Sequence, residues 1–473
     1  MIVEQIYTGC LAQGAYFIQS DGEAAVIDPL REVEPYILKA LKKDVSIKYV
    51  FETHFHADFV SGHIDLASKT GATIVYGPKA NPDFDCHIAT DGEVFWVGKL
   101  KIKAIHTPGH TLESTCYLVY DENGKEYALL SGDTLFIGDV GRPDLAQKST
   151  LTMNDLAGML YDSLNNKIKP LPDDILIYPA HGAGSACGKN MSKETFDTLG
   201  RQKELNYALR ASDKAQFIAE VTNGLVAPPA YFPQNVMMNK MGYSSFESVL
   251  NLGTQALSVS DFEQIADLRD ALVLDTRSDK DFCKGFIPNS TNISLGGQFA
   301  PWVGSLVADV KQPILLITEI GKEAETVTRL SRVGFDNLLG YLDGGFEAWK
   351  AANKEIDTIN RISAEAFLSR FDAHSVVIDV RREGEYLAEH VSEAYNKPLD
   401  NINDWTTEIE RNKHFFLHCA GGFRSMITAS ILKARGIDNF TEIEGGFKAI
   451  KEAGLPCTDF VCQSRLMPAI LSI

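Results

Sequence analysis

The stretch that most constrains the fold is residues 53–63, which places His54, His56 and Asp58 at alternate positions. The run before it, residues 47–53, is rich in β-branched and aromatic side chains and predicts a buried strand that delivers His54 to its C-terminal end. Imidazole nitrogens and a carboxylate oxygen at this spacing can converge on one cation. The stretch therefore predicts a metal site at the edge of a sheet.

Three later stretches have the same design, because each ends an apolar, strand-like run with a His or Asp at a glycine-containing turn. They carry His110 in residues 107–111, Asp133 in residues 131–134 and His181 in residues 178–182. One such histidine would be an ordinary surface or core residue, whereas four strand endings in order indicate a shared site. Together they resemble the metal site of the metallo-β-lactamase fold, which implies an αββα sandwich.

Local patterns in this part of the chain give coarser expectations. Residues 1–30 predict two strands, and residues 192–221 predict one long helix or two short ones. Asp28, at a predicted strand end, resembles the acidic residue that this fold often carries beneath its metal site, although a turn residue before Pro29 fits equally well. A proline-rich segment at 227–233 marks the edge of the first domain.

Length and charge exclude several classes of protein. A chain of 473 residues holds about three domains of ordinary size. Its net charge of −18 argues against a nucleic-acid-binding surface. We find no apolar run near the roughly 20 residues that span a bilayer and no basic leader, so we expect a cytoplasmic protein without nucleic-acid or membrane partners. The eight cysteines lack paired spacing, so we expect thiols rather than disulfides.

The C-terminal half of the chain repeats itself. Residues 272–277 (LVLDTR) match 376–381 (VVIDVR), and residues 343–350 (DGGFEAWK) match 444–451 (EGGFKAIK). β-branched strands alternate with helical segments in both copies, which predicts two α/β domains with parallel sheets. We therefore place three domains at residues 1–250, 258–355 and 360–473.

The second copy contains a glycine-rich cysteine loop. An apolar strand ends at Cys419, a helical pattern covers residues 426–434, and between them lie Ala420, Gly421, Gly422, Phe423, Arg424 and Ser425. Backbone N–H groups of such a turn, together with the positive end of the helix, would surround the sulfur and stabilise an anionic adduct. The loop resembles that of the rhodanese sulfurtransferases, which implies that Cys419 and Arg424 are catalytic. The related dual-specificity phosphatases have a loop one residue longer, which fits phosphate better than sulfane sulfur.

The first copy lacks this loop. Aligning residues 317–322 on 417–422 puts Glu319 at the cysteine position and Ala324 at the arginine position. Because a carboxylate cannot carry a transferable sulfur, we predict an inactive rhodanese-like domain that serves as a spacer or docking surface. Cys283 lies away from the loop and is expected to be structural.

Phe59 separates the metal motif from that of the binuclear hydrolases of this fold. Glyoxalase II carries a histidine directly after the motif aspartate, where this chain has Phe59. This departure, together with the segment 138–144 (GDVGRPD), resembles the persulfide dioxygenase branch of the fold. The resemblance implies one Fe(II) per chain held by His54, His110 and Asp133. His56, Asp58 and His181 would then orient ligands or water from around it.

Taken together, the chain resembles a persulfide dioxygenase fused to an inactive and an active rhodanese domain. The resemblance implies that a thiol persulfide is oxidised by O₂ to sulfite, and that Cys419 joins a sulfane sulfur to sulfite as thiosulfate or runs the reverse reaction. Sulfide detoxification is the implied role. The carrier thiol stays open between glutathione, coenzyme A, bacillithiol and others, and we expect a homo-oligomer.

Other interpretations remain open at this point. Arg142 is a candidate for binding the carboxylate or phosphate of the carrier thiol, and a salt bridge with Asp144 is an equal alternative. Cys187 follows His181 by six residues and is either a relay or redox-sensitive thiol near the metal or an inert loop cysteine. The whole chain could also be a binuclear zinc thiolester hydrolase of the glyoxalase II type, or a persulfide carrier or sensor without oxidative activity.

Overall fold

The computed structural model describes residues 2–147, 150–372 and 374–461, so Cys462 and the end of the third predicted domain lie outside the described residues. The chain forms two compact units. Unit 1 comprises Met1–Ser248 with the short segments Val307–Val310 and Thr328–Asp336, and unit 2 comprises the rest. None of the helices in the described ranges is both long and apolar enough to cross a bilayer.

Unit 1 is built on two six-stranded mixed sheets. The first has the order β1-β2-β3-β4-β5-β6 and consists of Ile2–Thr8 (β1), Gln13–Ser20 (β2), Glu23–Ile27 (β3), Ser46–Phe51 (β4), Thr73–Tyr76 (β5) and His87–Ile88 (β6). The second has the order β12-β11-β10-β9-β8-β7 and consists of Val94–Val97 (β7), Leu100–His106 (β8), Thr115–Tyr120 (β9), Glu126–Gly132 (β10), Leu176–Pro179 (β11) and Asp197–Thr198 (β12). Residues 1–30 thus hold three strands rather than the two predicted.

The helices of this part of the chain are short. They are Glu34–Lys42 (α1), His63–Thr70 (α2), Met153–Ser163 (α3), Leu199–Leu205 (α4), Tyr207–Arg210 (α5), Lys214–Thr222 (α6), Phe232–Met241 (α7) and Phe246–Gly253 (α8), with a π-helical turn at Leu164–Ile168. The predicted helical stretch 192–221 breaks into α4, α5 and all but the last residue of α6. The cause is local, because the side chains of Asn206 and Asp213 accept hydrogen bonds from backbone N–H groups and start new helices.

Apolar layers show how the sheets and helices stack. Phe51 and Tyr117, from different sheets, pack with ring centroids 4.7 Å apart in the core between the sheets. Tyr36 of α1 packs on the outer side of the first sheet, and Leu160 and Phe217 pack on the second. Helices therefore cover both outer faces, and the predicted αββα sandwich is confirmed.

Unit 2 contains two five-stranded parallel sheets with the same strand order. The first, β13-β17-β16-β14-β15, consists of Ala256–Leu257 (β13), Leu272–Asp275 (β14), Thr291–Asn292 (β15), Ile314–Ile317 (β16) and Leu338–Leu342 (β17). The second, β18-β22-β21-β19-β20, consists of Arg361–Ile362 (β18), Val376–Asp379 (β19), Tyr395–Asn396 (β20), Phe415–His418 (β21) and Phe440–Ile443 (β22). The predicted repeat and its parallel sheets are confirmed.

Helices flank these sheets in matching positions. In the first repeat they are Val259–Arg269 (α9), Asp279–Phe282 (α10), Phe299–Leu306 (α11), Glu323–Ser331 (α12) and Gly345–Ala351 (α13). In the second they are Ala364–Leu368 (α14), Glu383–Ala388 (α15), Ile402–Trp405 (α16), Phe423–Ala434 (α17) and Gly446–Glu452 (α18), with 3₁₀ turns at Leu399–Asn401 and Thr406–Glu408.

Strand register corrects the predicted alignment of the two repeats. Asp275 pairs with Ile317, and its counterpart Asp379 pairs with His418. Thr318 therefore occupies the position of Cys419, and the prediction of Glu319 at that position is wrong by one residue. The apolar run alone does not fix the register, whereas the pairing with the aspartate strand does. In the same register, Glu323, rather than Ala324, occupies the position in the first repeat that corresponds to Arg424 in the second.

Candidate functional site

The strand endings of unit 1 converge on a buried cluster. His54 follows β4, His110 follows β8 and Asp133 follows β10, and their ligand atoms all lie within 4.8 Å of one another. Asp133 Oδ2 is 3.4 Å from His110 Nε2 and 3.8 Å from His54 Nε2. The structure thus brings together the three predicted metal ligands.

Unpaired atoms in this cluster test whether it fits a metal ion. His54 Nε2 and both carboxylate oxygens of Asp133 are buried and have no hydrogen-bond partner among the described residues. Leaving such a group unpaired costs about 1–3 kcal/mol, and coordination of a cation would satisfy all three atoms. Two imidazoles and one carboxylate form a set that divalent transition metals accept. The residues present therefore fit a metal ion.

The other ring nitrogen of each histidine ligand is held in place. His54 Nδ1 lies 2.9 Å from Thr53 Oγ1, which donates to Asp28 Oδ2 at 2.9 Å, so the ring donates to Thr53. His110 Nδ1 donates to the carbonyl oxygen of Arg142 at 2.8 Å. These bonds leave Nε2 of both rings facing Asp133, as metal ligation requires. Asp28 thus supports the site from beneath.

A second buried group lies beside the first. His56, Asp58 and His181 also offer atoms within 4.8 Å of one another, and His181 Nε2 is 3.4 Å from Asp58 Oδ1. Burial lowers the pKa of His54 well below its ordinary value, which keeps the ring neutral and able to donate a lone pair to a metal. Burial would also lower the pKa of His181, but Asp58 and Asp133 raise it well above its ordinary value. His54 is therefore suited to metal ligation, whereas His181 and Asp58 form an ion pair.

Phe59 packs against this second group. Its buried ring lies 4.3 Å from the His56 ring and 6.4 Å from the His181 ring, centroid to centroid. A hydrocarbon ring excludes water from this space and offers no ligand atom. The position that follows the motif aspartate is therefore closed to metal coordination.

Restoring a ligand at this position should create a second metal site. In Phe59→His we expect bound zinc to rise from about one to about two ions per chain, because an imidazole joins Asp58 and His181. Metal analysis after dialysis against zinc measures the change. Phe55→His is the matched control on the same loop, since the Phe55 ring packs on Tyr76 instead. Equal zinc content in Phe59→His and wild type would contradict the expectation.

Arg142 is committed to protein partners. Its Nε and Nη2 donate to the two carboxylate oxygens of Asp144 at 2.6 and 2.7 Å, and Nη1 donates to the Ala186 carbonyl at 3.1 Å. This is the salt bridge that the sequence left as an alternative. Because the Arg142 carbonyl also holds His110, the side chain fixes the loop that orients a metal ligand. Binding of the carrier thiol by Arg142 stays the alternative interpretation.

Replacing Arg142 separates these two roles. We expect Arg142→Ala to weaken metal affinity about tenfold, because the loop behind His110 loosens, while KM for a thiol persulfide changes less than about twofold. Competition with a chelator and steady-state kinetics at saturating metal measure the two quantities. Exposed Arg201→Ala is the control. A raised KM with normal metal affinity would support the carrier-binding role instead.

Cys187 lies beside the metal ligands. Its sulfur is buried and close to Asp133 and His181. Burial, together with the carboxylates of Asp58 and Asp133, raises the pKa of Cys187 to about 12, so the thiol is protonated at neutral pH. Because a protonated, buried thiol is a poor nucleophile, Cys187 fits the inert loop cysteine better than the nucleophilic relay.

Two residues that shape the metal site were not singled out in the sequence, although one of them, Gly141, lies in the signature segment 138–144. Asn239 of α7 is buried, accepts from the Ser61 N–H and donates to the carbonyls of His56 and Phe59, each at 2.8 Å. It clamps the metal loop from a distant part of the chain, and no local pattern signals it. Gly141 is required for space, because an added Cβ would collide with the Asp133 carbonyl and lie 2.9 Å from His110 Nδ1.

The cysteine loop of unit 2 surrounds a buried sulfur. Cys419 follows β21, and its Sγ accepts from the Gly422 N–H at 3.2 Å and lies 3.5 Å from Ser425 Oγ. Gly446 packs against the loop from α18, where an added Cβ would collide with the Cys419 carbonyl oxygen. The loop thus directs a backbone N–H at Cys419 in a site largely shielded from water.

Arg424 is paired with a carboxylate that the sequence did not indicate. Its Nη1 and Nη2 donate to the two oxygens of Glu385 at 2.6 and 2.8 Å, and Glu385 belongs to α15. Burial would raise the pKa of Glu385, but the Arg424 guanidinium lowers it below its ordinary value. Glu385 is therefore ionised, and its carboxylate is paired with the guanidinium of Arg424.

A chain of hydrogen bonds links this loop to the first repeat. Ser425 Oγ donates to Glu442 Oε1 at 2.6 Å, and Arg361 Nε donates to Glu442 Oε2 at 2.6 Å. Arg361 Nη2 then donates to Asp279 Oδ2, also at 2.6 Å. Because Asp279 belongs to α10, the first repeat supports the cysteine loop of the second.

The corresponding loop of the first repeat is filled by the side chain of Glu323. Glu323 Oε1 accepts from the Gly321 N–H at 3.1 Å and from Thr318 Oγ1 at 3.4 Å. Gly321 is the counterpart of Gly422, whose N–H faces the sulfur in the second repeat. The first loop thus has a hydroxyl in place of the thiol and a carboxylate in place of the guanidinium, which favours the prediction of a repeat without sulfur transfer.

Comparison with known proteins defines the class. A model of the metallo-β-lactamase superfamily matches residues 8–85, and a model of the rhodanese-like domain matches residues 258–352 and 363–453. The chain belongs to the metallo-β-lactamase superfamily and carries two rhodanese-like domains. Among solved structures it is similar to a metallo-β-lactamase from Staphylococcus aureus subsp. aureus COL, with 31% identity, a TM-score of 0.64, and coverage of 72% of this chain and 98% of that one.

Relatives with described activities match a smaller share of the chain. The probable hydroxyacylglutathione hydrolase glo2 of Schizosaccharomyces pombe is 35% identical over 172 residues, which is 35% of this chain and 62% of that protein. The hydroxyacylglutathione hydrolase of Dictyostelium discoideum is 29% identical over 218 residues, which is 45% of this chain and 75% of that protein. This chain therefore spans less than two thirds of the S. pombe protein.

Proposed function

We propose that the protein oxidises low-molecular-weight thiol persulfides with O₂ and transfers sulfane sulfur through Cys419. The observation that carries this proposal is the presence, in one chain, of a buried cluster with three metal ligands and a loop that surrounds a buried thiol. A thiol persulfide, R-S-SH, is a substrate that both sites can use.

The first site would act on the terminal sulfur of the persulfide. His54, His110 and Asp133 would hold one Fe(II) per chain, which supplies the redox chemistry that joins O₂ to sulfur. The reaction balances as R-S-SH + O₂ + H₂O giving R-SH and H₂SO₃, which ionises to sulfite. Thr53 and the Arg142 carbonyl fix the two imidazoles, and Phe59 excludes water and a second ion from the adjacent group.

The second site would carry the sulfane sulfur. A lone pair of sulfite attacks the outer sulfur of the Cys419 persulfide, the S–S bond breaks, and its electron pair stays on Cys419 Sγ while thiosulfate leaves. The Gly422 N–H donates to that sulfur and would stabilise the charge that develops on it, whereas the Ser425 hydroxyl, 3.5 Å from the sulfur, donates to Glu442. Run in reverse, the same step loads Cys419 from thiosulfate.

We also propose a carrier thiol and a cellular role for the protein. The carrier thiol would be glutathione, coenzyme A or a similar small thiol, and the overall reaction would remove sulfide equivalents in the cytoplasm. We further propose that the protein acts as a homo-oligomer.

A second candidate function is hydrolysis of a glutathione thiolester with two zinc ions. Similarity to the hydroxyacylglutathione hydrolases favours it. The ring of Phe59 beside His56 opposes it, because it removes a ligand that the second zinc would need.

Metal content and oxygen uptake of the purified protein test the proposal. With glutathione persulfide and coenzyme A persulfide as substrates, we expect near one iron per chain, persulfide-dependent oxygen uptake, and sulfite or thiosulfate as product. Cys419→Ser should keep oxygen uptake and lose thiosulfate formation. Two zinc ions per chain without uptake would move the function to hydrolysis. Labelling of Cys419 by sulfane sulfur without uptake would indicate a carrier or sensor.

A further inference from the structure

The carboxylate of Glu385 is hydrogen-bonded to the guanidinium of Arg424, which is the group that the cysteine loop would offer to an anionic substrate. Both terminal nitrogens of Arg424 donate to Glu385, and the backbone N–H of Arg382 donates to the same carboxylate at 3.3 Å. A bidentate arginine–carboxylate pair uses the two parallel donors that sulfite or thiosulfate oxygens would otherwise engage.

The other arginine near this loop is also committed. Arg381 donates through Nε and Nη2 to buried Asp379, and its guanidinium carbon lies 4.0 Å from the centre of the Phe447 ring. Asp379 and Arg381 therefore form a structural pair. A doubly charged inorganic anion that approaches Cys419 must displace the Glu385 carboxylate to reach Arg424.

We propose that Glu385 is a specificity-determining residue that competes with inorganic oxyanions for Arg424. The inference rests on the proposed sulfur transfer at Cys419 and names the substrate class that the site disfavours. Glu385 raises KM for sulfite and for thiosulfate, and it promotes release of the product anion by pairing again with Arg424. A thiol persulfide loads the loop without this competition: Cys419 Sγ attacks the outer sulfur of R-S-SH, the S–S bond breaks, and R-SH leaves, so no inorganic oxyanion has to displace Glu385.

The inactive repeat supports this electrostatic argument. There Glu323 stands at the arginine position, and its carboxylate accepts directly from the loop N–H of Gly321. The same fold thus accommodates a carboxylate in the space where an anion would bind. In the active repeat the carboxylate comes from α15 and is partly exposed, so it can move aside.

Kinetics of Glu385→Gln test the proposal. We expect KM for thiosulfate and for sulfite to fall about tenfold, since an amide competes weakly for the guanidinium, with kcat unchanged or lowered by slower release. KM for glutathione persulfide should change less than about twofold. Glu383→Gln on the same helix removes an equal charge from an exposed position and should leave all three values unchanged. A KM for thiosulfate that is unchanged or raised in Glu385→Gln would overturn the proposal.

A binding measurement separates this inference from the proposed function. Calorimetry of thiosulfate binding compares Cys419→Ser with the double variant Cys419→Ser/Glu385→Gln, and neither protein turns over. We expect about tenfold tighter binding in the double variant. If wild type transfers no sulfur, the proposed function fails, yet tighter binding would still support competition by Glu385. Equal dissociation constants would overturn the inference even where wild type is active.

Discussion

Replacing Gly446 by alanine should abolish sulfur transfer, with a loss of at least about 100-fold, because the new methyl group displaces the loop that surrounds Cys419. The Cβ would collide with the Cys419 carbonyl oxygen and lie 2.8 Å from the carbonyl carbon of Ala420. Both are backbone atoms, so the contact cannot be relieved by rotating a side chain. Sulfite-dependent formation of thiosulfate measures the loss.

The first repeat supplies a matched control. Gly345 has φ of 60°, close to the 59° of Gly446, so alanine at either position carries similar backbone strain of about 1–2 kcal/mol. At Gly345, however, the added Cβ would lie 3.3 Å from the Thr318 carbonyl oxygen, which a small shift relieves. Gly345→Ala should therefore lower the unfolding temperature of unit 2 slightly and keep sulfur transfer. Equal losses of activity in the two variants would show that strain, rather than the collision, is responsible.

Replacing Asp133 by alanine should remove the metal and with it oxygen uptake. Asp133 Oδ2 faces both histidine ligands, so its loss removes the carboxylate from the predicted ligand set, and we expect metal affinity to fall at least about 100-fold. Metal analysis and an oxygen electrode measure the two effects. Sulfur transfer by Cys419 should persist, because unit 2 has its own sheets and core.

Asp174→Ala is the control for this experiment, since Asp174 is exposed and pairs with Lys125. It should keep both metal and oxygen uptake. Full oxygen uptake in Asp133→Ala would place the metal at another set of ligands.

The metal ligands could be located from the sequence because each follows its own apolar run and a turn. His54, His110 and Asp133 are separated by tens of residues, but each carries a local signal that its neighbours supply. The carboxyl ends of strands in stacked sheets can meet at one edge, so the local signals add up to a site. The repeat in the second half of the chain is predicted from a different signal, the matching segments at 272–277 and 376–381 and at 343–350 and 444–451.

Residues that act through distant contacts could not be found this way. Asn239 reaches the metal loop from a helix 178 residues away from Ser61, and Glu385 reaches Arg424 across 39 residues. Neither side chain differs in local pattern from an ordinary polar residue. The one-residue error at Glu319 has a related cause. Two apolar runs can be aligned in more than one register, and the strand pairing of Asp275 with Ile317 shows which register is correct.

The bond between Asp279 and Arg361 has a consequence for how such a protein can change over generations. The first loop has Thr318 and Glu323 in place of a thiol and a guanidinium, so we expect substitutions within it to leave the surroundings of Cys419 intact. Asp279 does not have this freedom, because it holds the arginine that pairs with Glu442 behind Ser425. The sequence of the first repeat is thereby constrained by the loop of its neighbour, and we expect deletion of the first repeat to remove a support of Cys419.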